Sequence, residues 1–203
     1  MEYELTSTGR EENQKMPIFV LGLSQDTIDL LRAYKFRGRR LEGKFLRTVG
    51  DLVASGKDDF ENYVIAHKNH LAANKIIYDI ESKLARIGLK IDGSDFTAGD
   101  IKIEDFAMSD QARKAVEKLG DQIKTIGDLT LYNKRKLAKR FGFLGVEAPA
   151  FVDDIEDALE VYGLKLEESK RKLNPEKVFS TKFITDKYKF ADPDWSPEAG
   201  DEK

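Results

Sequence analysis

Residues 46–52 read Leu-Arg-Thr-Val-Gly-Asp-Leu, and residues 123–129 read Ile-Lys-Thr-Ile-Gly-Asp-Leu. A second phrase follows each: Ile-Gly-Leu-Lys-Ile at 87–91 and Tyr-Gly-Leu-Lys-Leu at 162–166. Thr48 stands 40 residues before Gly88, and Thr125 stands 38 before Gly163. Two ordered anchors at nearly equal separation mark a duplicated unit, each copy one small domain. Thr48 and Thr125 are placed to cap short helices, with Asp51 and Asp128 three residues on in the capping-box position. Gly88 and Gly163 are placed to end the last helix of each unit in a left-handed conformation.

Around these anchors the spacing of apolar residues predicts further helices. Ser24 caps a helix carrying Ile28, Leu31 and Tyr34, with Asp26 in its first turn. Asp58 is read as the cap of a helix with Phe60, Tyr63 and Val64. Ile76, Ile77, Ile80, Leu84 and Ile87 follow the three–four spacing of a helix from His70. In the second unit Ser109 caps a helix with Ala112, Ala115, Val116 and Leu119. Leu131 to Phe141 is read as the third helix and Phe151 to Tyr162 as the last. The expected architecture is all-α: a flexible arm at 1–15, a first helical domain at 16–91, a linker at 92–101, a second domain at 102–167 and a charged tail at 168–203. A short helix is expected to about Leu173. Trp195, in an acidic stretch with two prolines, reads as a docking anchor or as a ring packed on its own domain.

Composition bounds the function. The 203 residues carry a net charge of −3, with 40% hydrophobic and 35% charged residues and no cysteine. Units of about 65–75 residues bury only roughly 60% of their surface, and no disulfide staples these. Cysteine nucleophiles and cysteine-ligated zinc are excluded. The polar, acidic start is unlike a signal peptide and no apolar run matches a membrane helix, so a cytoplasmic protein without a membrane partner is expected. His67 and His70 lie three apart, but no H-E-x-x-H pattern or third ligand accompanies them. No phosphate-loop, dinucleotide or nucleophile-elbow pattern occurs. The reading is no enzyme, no metal, no cofactor and no evident small-molecule substrate.

The order of motifs resembles the C-terminal domain of the bacterial RNA polymerase alpha subunit: a capped helix, T-(V/I)-G-D-L, a third helix, a hairpin, and a helix closing in G-L-x-(L/I). The resemblance covers residues 17–91 and 102–166. It implies a compact helix-hairpin-helix fold that binds AT-rich DNA through the minor groove and phosphates, and that contacts activators and sigma. Aligned on Ser24, Asp26 and Asp29 fall where the family has its DNA-contacting Arg and Asn. Aligned on Ser109, Gln111 and Lys114 take those positions. The family hairpin N-L-G-K-K-S aligns with residues 71–76, where Lys75 is kept. Phe-Leu-Gly at 143–145 matches in the second unit.

The candidate nucleic-acid contacts are therefore local. Arg37, Arg39, Arg40, Lys44 and Arg47 form a basic loop with Phe36 and Phe45, either tracking phosphates, or simply solvated, or paired with Asp26, Asp29 and the acidic tail. Lys75 and Lys114 come from the family positions. Arg135, Lys139 and Arg140 share a basic helix with Lys134 and Lys136, a phosphate surface or an exposed helix face. The expected function is a non-enzymatic, transcription-associated protein contacting DNA, RNA polymerase or a transcription regulator. The alternative is a protein–protein adaptor of phage or mobile-element type that keeps the fold and not the DNA surface.

Overall fold

The computed structural model describes residues 7–35, 45–120, 122–143, 148–170, 172–174 and 177–179. It is mostly helical, and no extended strand occurs among the described residues. None of its helices is long and apolar enough to cross a membrane. In the first unit α1 (Ser7–Lys15) leads into a 3-10 turn (Ile18–Leu21) and α2 (Gln25–Ala33). Then come α3 (Val49–Val53), α4 (Lys57–His67) and α5 (His70–Arg86). The second unit has 3-10 turns at Ala98–Asp100 and Ile103–Asp105, then α6 (Asp110–Glu117), α7 (Ile126–Thr130), α8 (Lys134–Phe143) and α9 (Ala148–Val161).

The repetition extends to single hydrogen bonds. Thr48 accepts from the Asp51 backbone N–H, and the Asp51 carboxylate takes the N–H groups of Thr48 at 2.9 Å and Arg47 at 3.0 Å. Asp128 does the same for Thr125 and Lys124, both at 2.8 Å. Each signature then zips onto its lead-in: Val49 N–H to Met16 O at 2.8 Å and Ile18 N–H to Arg47 O at 3.2 Å, matched by Ile126 to Ile101 and Ile103 to Lys124, each at 2.9 Å. Ser24 and Ser109 cap α2 and α6 through Thr27 and Ala112. Gly88 (φ 71°) and Gly163 (φ 69°) close α5 and α9 in the left-handed region, where a residue with a Cβ is strained.

Each unit has its own core. Leu31, Leu52, Phe60, Ile80 and Leu84 are fully buried in the first, and Phe106, Ile126, Leu129, Phe141 and Ile155 in the second. Ala85 of α5 belongs to the second core, so the units meet along that helix. Tyr78 donates to Asp105 Oδ2 and accepts from Lys102 N–H, both at 2.8 Å, while Arg86 donates to Asp105 O at 2.6 Å. Burial pushes the Tyr78 hydroxyl pKa well above the phenolic range. Burial likewise raises the Asp79 carboxyl and lowers the Lys83 ammonium on the neighbouring turns.

Three stretches differ from their sequence-based reading. The arm expected at 1–15 is helical over Ser7–Lys15 and packs on α3, with Asn13 buried and donating to Ile87 O at 3.2 Å. The linker expected at 92–101 is a built part of both units. Lys57 N–H donates to Asp92 O at 2.8 Å, Ser94 is buried against Glu81, and the 3-10 turn Ala98–Asp100 packs on α7 as α1 packs on α3. Its Asp, Ser and Thr residues read as loop because the side chains that cap and latch are those that favour turns. The start of the expected tail folds back: Ser169 bonds Glu156, Val178 is buried, and the Phe179 ring lies over Gly88 and Gly163. No helix follows α9 among the described residues, and Trp195 lies outside them. Smaller shifts occur at helix starts. Gly56, not Asp58, precedes α4, and α8 begins at Lys134 rather than Leu131.

Candidate nucleic-acid interface

Arg37, Arg39, Arg40 and Lys44 lie outside the described residues, but the ends of their loop are fixed. Lys35 and Phe45 pair as an antiparallel bridge, and the Lys35 ammonium sits 4.9 Å from the Phe45 ring centroid. Arg47 follows with its side chain exposed. Together with Arg32 it frames a cleft of about 450 Å³ whose walls include Ile18, Ile28, Leu31 and Phe45. Arg32 is only loosely held by Asp29, at 3.8 Å and with both side chains largely exposed, a geometry worth well under ~1 kcal/mol.

Lys75 is exposed on α5, but not on a hairpin. Residues 71–76, aligned with the family hairpin, are helical, and the connection from α4 to α5 is Lys68–Asn69. Asn69 caps α5 by accepting from Ala72 N–H at 2.9 Å. The helix therefore starts earlier than the alignment places it. It carries Leu71, 84% exposed, and Lys75 one turn later on the same face. Among the described residues, neither Lys68, Lys75 nor Arg47 makes an ion pair. His67 is accounted for locally: its Nδ1 is 2.8 Å from Tyr63 O and its ring lies 4.2 Å from that of Tyr63.

The second basic group is arranged differently. Lys134 reaches Asp153 at 2.5 Å and Glu156 at 3.1 Å, and these two bonds, Asp153 first, hold its ammonium above the usual lysine range. Lys136 lies 3.7 Å from Glu167, and Arg140 donates to Gln122 at 3.4 Å. Arg135 and Lys139 are exposed. Arg135 borders a cleft of about 680 Å³ that also holds Asp153, Glu156, Glu167 and Glu168. Lys114 is exposed on α6, which packs on α9 as α8 does. Lys134 and Lys136 of α8 thus pair with carboxylates of their own unit, and Arg135 borders the same cleft.

One constellation escaped the sequence reading. Glu81 (7% exposed) accepts from Ser94 Oγ and lies 3.8 Å from Lys57 Nζ. Glu156 (6% exposed) accepts from Ser169 Oγ at 2.9 Å and from Lys134 Nζ at 3.1 Å. The two sets are equivalent: each lysine is nine residues after the signature threonine, each glutamate seven before the closing glycine, and each serine six after it. A buried carboxylate needs partners, and here it draws the segment beyond the closing glycine back onto the start of the third helix. The signal was present as matched offsets in the two copies, but Lys, Glu and Ser read individually as surface residues.

Compared with protein-family models, curated proteins and solved structures, the chain matches none.

Proposed function

We propose that the protein is a non-enzymatic, transcription-associated binding protein whose two units are of the RNA polymerase alpha C-terminal type. The first unit contacts nucleic-acid phosphates. The observation that carries this reading is the asymmetry of charge on a repeated scaffold. Caps, zipper bonds and closing glycines agree between the units, whereas Lys134 and Lys136 of α8 are paired with Asp153, Glu156 and Glu167 and, among the described residues, Arg47 and Lys68 of the first unit make no ion pair and Lys75 has the Asp79 carboxyl one turn along its own helix. Cations without an ion pair among the described residues suit a phosphate backbone.

Anisotropy of a labelled duplex across a salt titration tests it. With ~5 phosphate contacts, log K falls against log salt with a slope near −4 to −5. Arg47→Glu and Lys75→Glu each reduce the slope by about 1, and Lys136→Glu, at a lysine paired with Glu167, leaves it unchanged. No binding at the lowest salt removes DNA from the reading.

The second unit supports a second reading, an adaptor that binds polymerase or a regulator, favoured by the internally matched charges of α8. Titration with purified RNA polymerase in the presence of nuclease separates the two: binding that survives nuclease belongs to the adaptor.

A further inference from the structure

Clefts among the described residues differ in charge. The cleft beside α8 holds four carboxylates. A smaller one of about 200 Å³, near His67, includes Asp59. The one framed by Arg32 and Arg47 has apolar walls, about 450 Å³ of space and no acid among its described lining residues. An apolar cleft rimmed by arginines fits an aromatic side chain embedded in acidic sequence.

The chain carries one such segment. Residues 192–203 read Asp-Pro-Asp-Trp-Ser-Pro-Glu-Ala-Gly-Asp-Glu-Lys, with five acids, one base and the only tryptophan of the protein. We propose that this segment is the occupant of the Arg32–Arg47 cleft, with Trp195 against Phe45 and Ile28 and its carboxylates on the arginines. Lys35, paired with Phe45 beside the cleft, adds positive charge near the acids. The tether reaches. Phe179 is anchored between Gly88 and Gly163, and the 16 residues from there to Trp195 span up to ~55 Å extended. A folded body of this size has a radius of gyration of only ~16 Å. Docking by residues 192–203 covers Arg47 and so competes with phosphate at the first unit.

Because Trp195 is unique, its fluorescence reads the proposal directly in the full-length chain, without nucleic acid. Failure of this proposal and failure of the phosphate reading are therefore separate results. The native protein is expected to show blue-shifted Trp195 emission and acrylamide quenching severalfold weaker than a free peptide of residues 190–203. Phe45→Ala and Arg32→Glu, both at exposed side chains, are expected to return emission and quenching to peptide values with unchanged far-ultraviolet dichroism. Asp192→Asn with Asp194→Asn tests the same contact from the side of the segment. Peptide-like quenching in the native chain overturns the proposal. So does shielding that survives all these variants, which places the ring elsewhere, or shielding lost on dilution, which places it on a second copy.

Discussion

Single positions carry the repeat more than composition does. Gly50 and Gly127, inside the two signatures, each face a backbone carbonyl of the lead-in segment. A Cβ would sit 2.9 Å from Gln14 O at Gly50 and 3.0 Å from Gly99 O at Gly127. The glycine of T-(V/I)-G-D-L is therefore a docking position, besides its place in a helix start. Gly50→Ala is expected to lower stability by about 1–3 kcal/mol through overpacking, with Gly127→Ala somewhat milder, as read by urea unfolding. Gly142 supplies the control: it lies in α8 with nothing within 4 Å of an added Cβ, so Gly142→Ala is expected to gain about 0.5–1 kcal/mol from helix propensity. A second residue-scale test concerns Glu81. Glu81→Ala leaves Ser94 Oγ buried without its acceptor and is expected to cost about 1–3 kcal/mol. Glu156→Ala should cost less, because Lys134 keeps Asp153.

At the scale of elements, what sequence showed was what is local. Ser24, Ser109, Thr48 and Thr125 cap the helices they were expected to cap, because a cap is written three residues from its target. The apolar faces of α2, α5 and α9 followed from their periodicity for the same reason. The packing of α1, the latch at Ser94 and the course of the chain after α9 depend on partners far along the chain, Asn13 on Ile87 and Phe179 on Gly88 among them. No local pattern encodes them. The candidate site shared this limit: its cations were visible, but their pairing with Asp153 and Glu167 was not.

The capping box of α7 has a pH signature. The Thr125 backbone N–H, followed by that of Lys124, holds the Asp128 carboxyl below the usual carboxylate range. A carboxyl with a depressed folded pKa stabilises above its unfolded value, near ~4, and the contribution disappears as the pH falls through the folded value. Asp128→Asn is thus expected to cost about 1 kcal/mol at neutral pH, with the difference from wild type closing in strong acid. Thermal unfolding of both proteins across the acid range checks this. Asp79 acts in the opposite sense, since burial raises its pKa: its charged form costs stability above the folded pKa, and protonation relieves that cost as the pH drops.

Over the whole molecule, two copies of one unit are fastened by elements that belong to neither signature. Tyr78 and Arg86 of α5 grip Asp105, and Ala85 enters the second core. Phe179 donates its N–H to Val161 O at 2.9 Å while its ring covers both closing glycines. Glu160, 2% exposed near the end of α9, accepts from Asn174 N–H at 2.6 Å and lies 3.8 Å from Lys177. Phe179→Ala is expected to separate the melting of the two units: one calorimetric transition in the native chain becomes two. Amide exchange should quicken around Gly88 and Gly163 and not around Thr48. A single unaltered transition would count against the fastening role.

The position of Phe179 also sets an order of assembly during synthesis. The first unit carries its own latch at Ser94 and can close soon after that serine leaves the ribosome. The ring that covers Gly88 is made 91 residues after that glycine, once all of the second unit has been made. The cover over the two closing glycines is thus made after the α5 contacts with Asp105 and the second core, and a nascent chain stalled before residue 179 should hold two formed units joined along α5 but without that clasp.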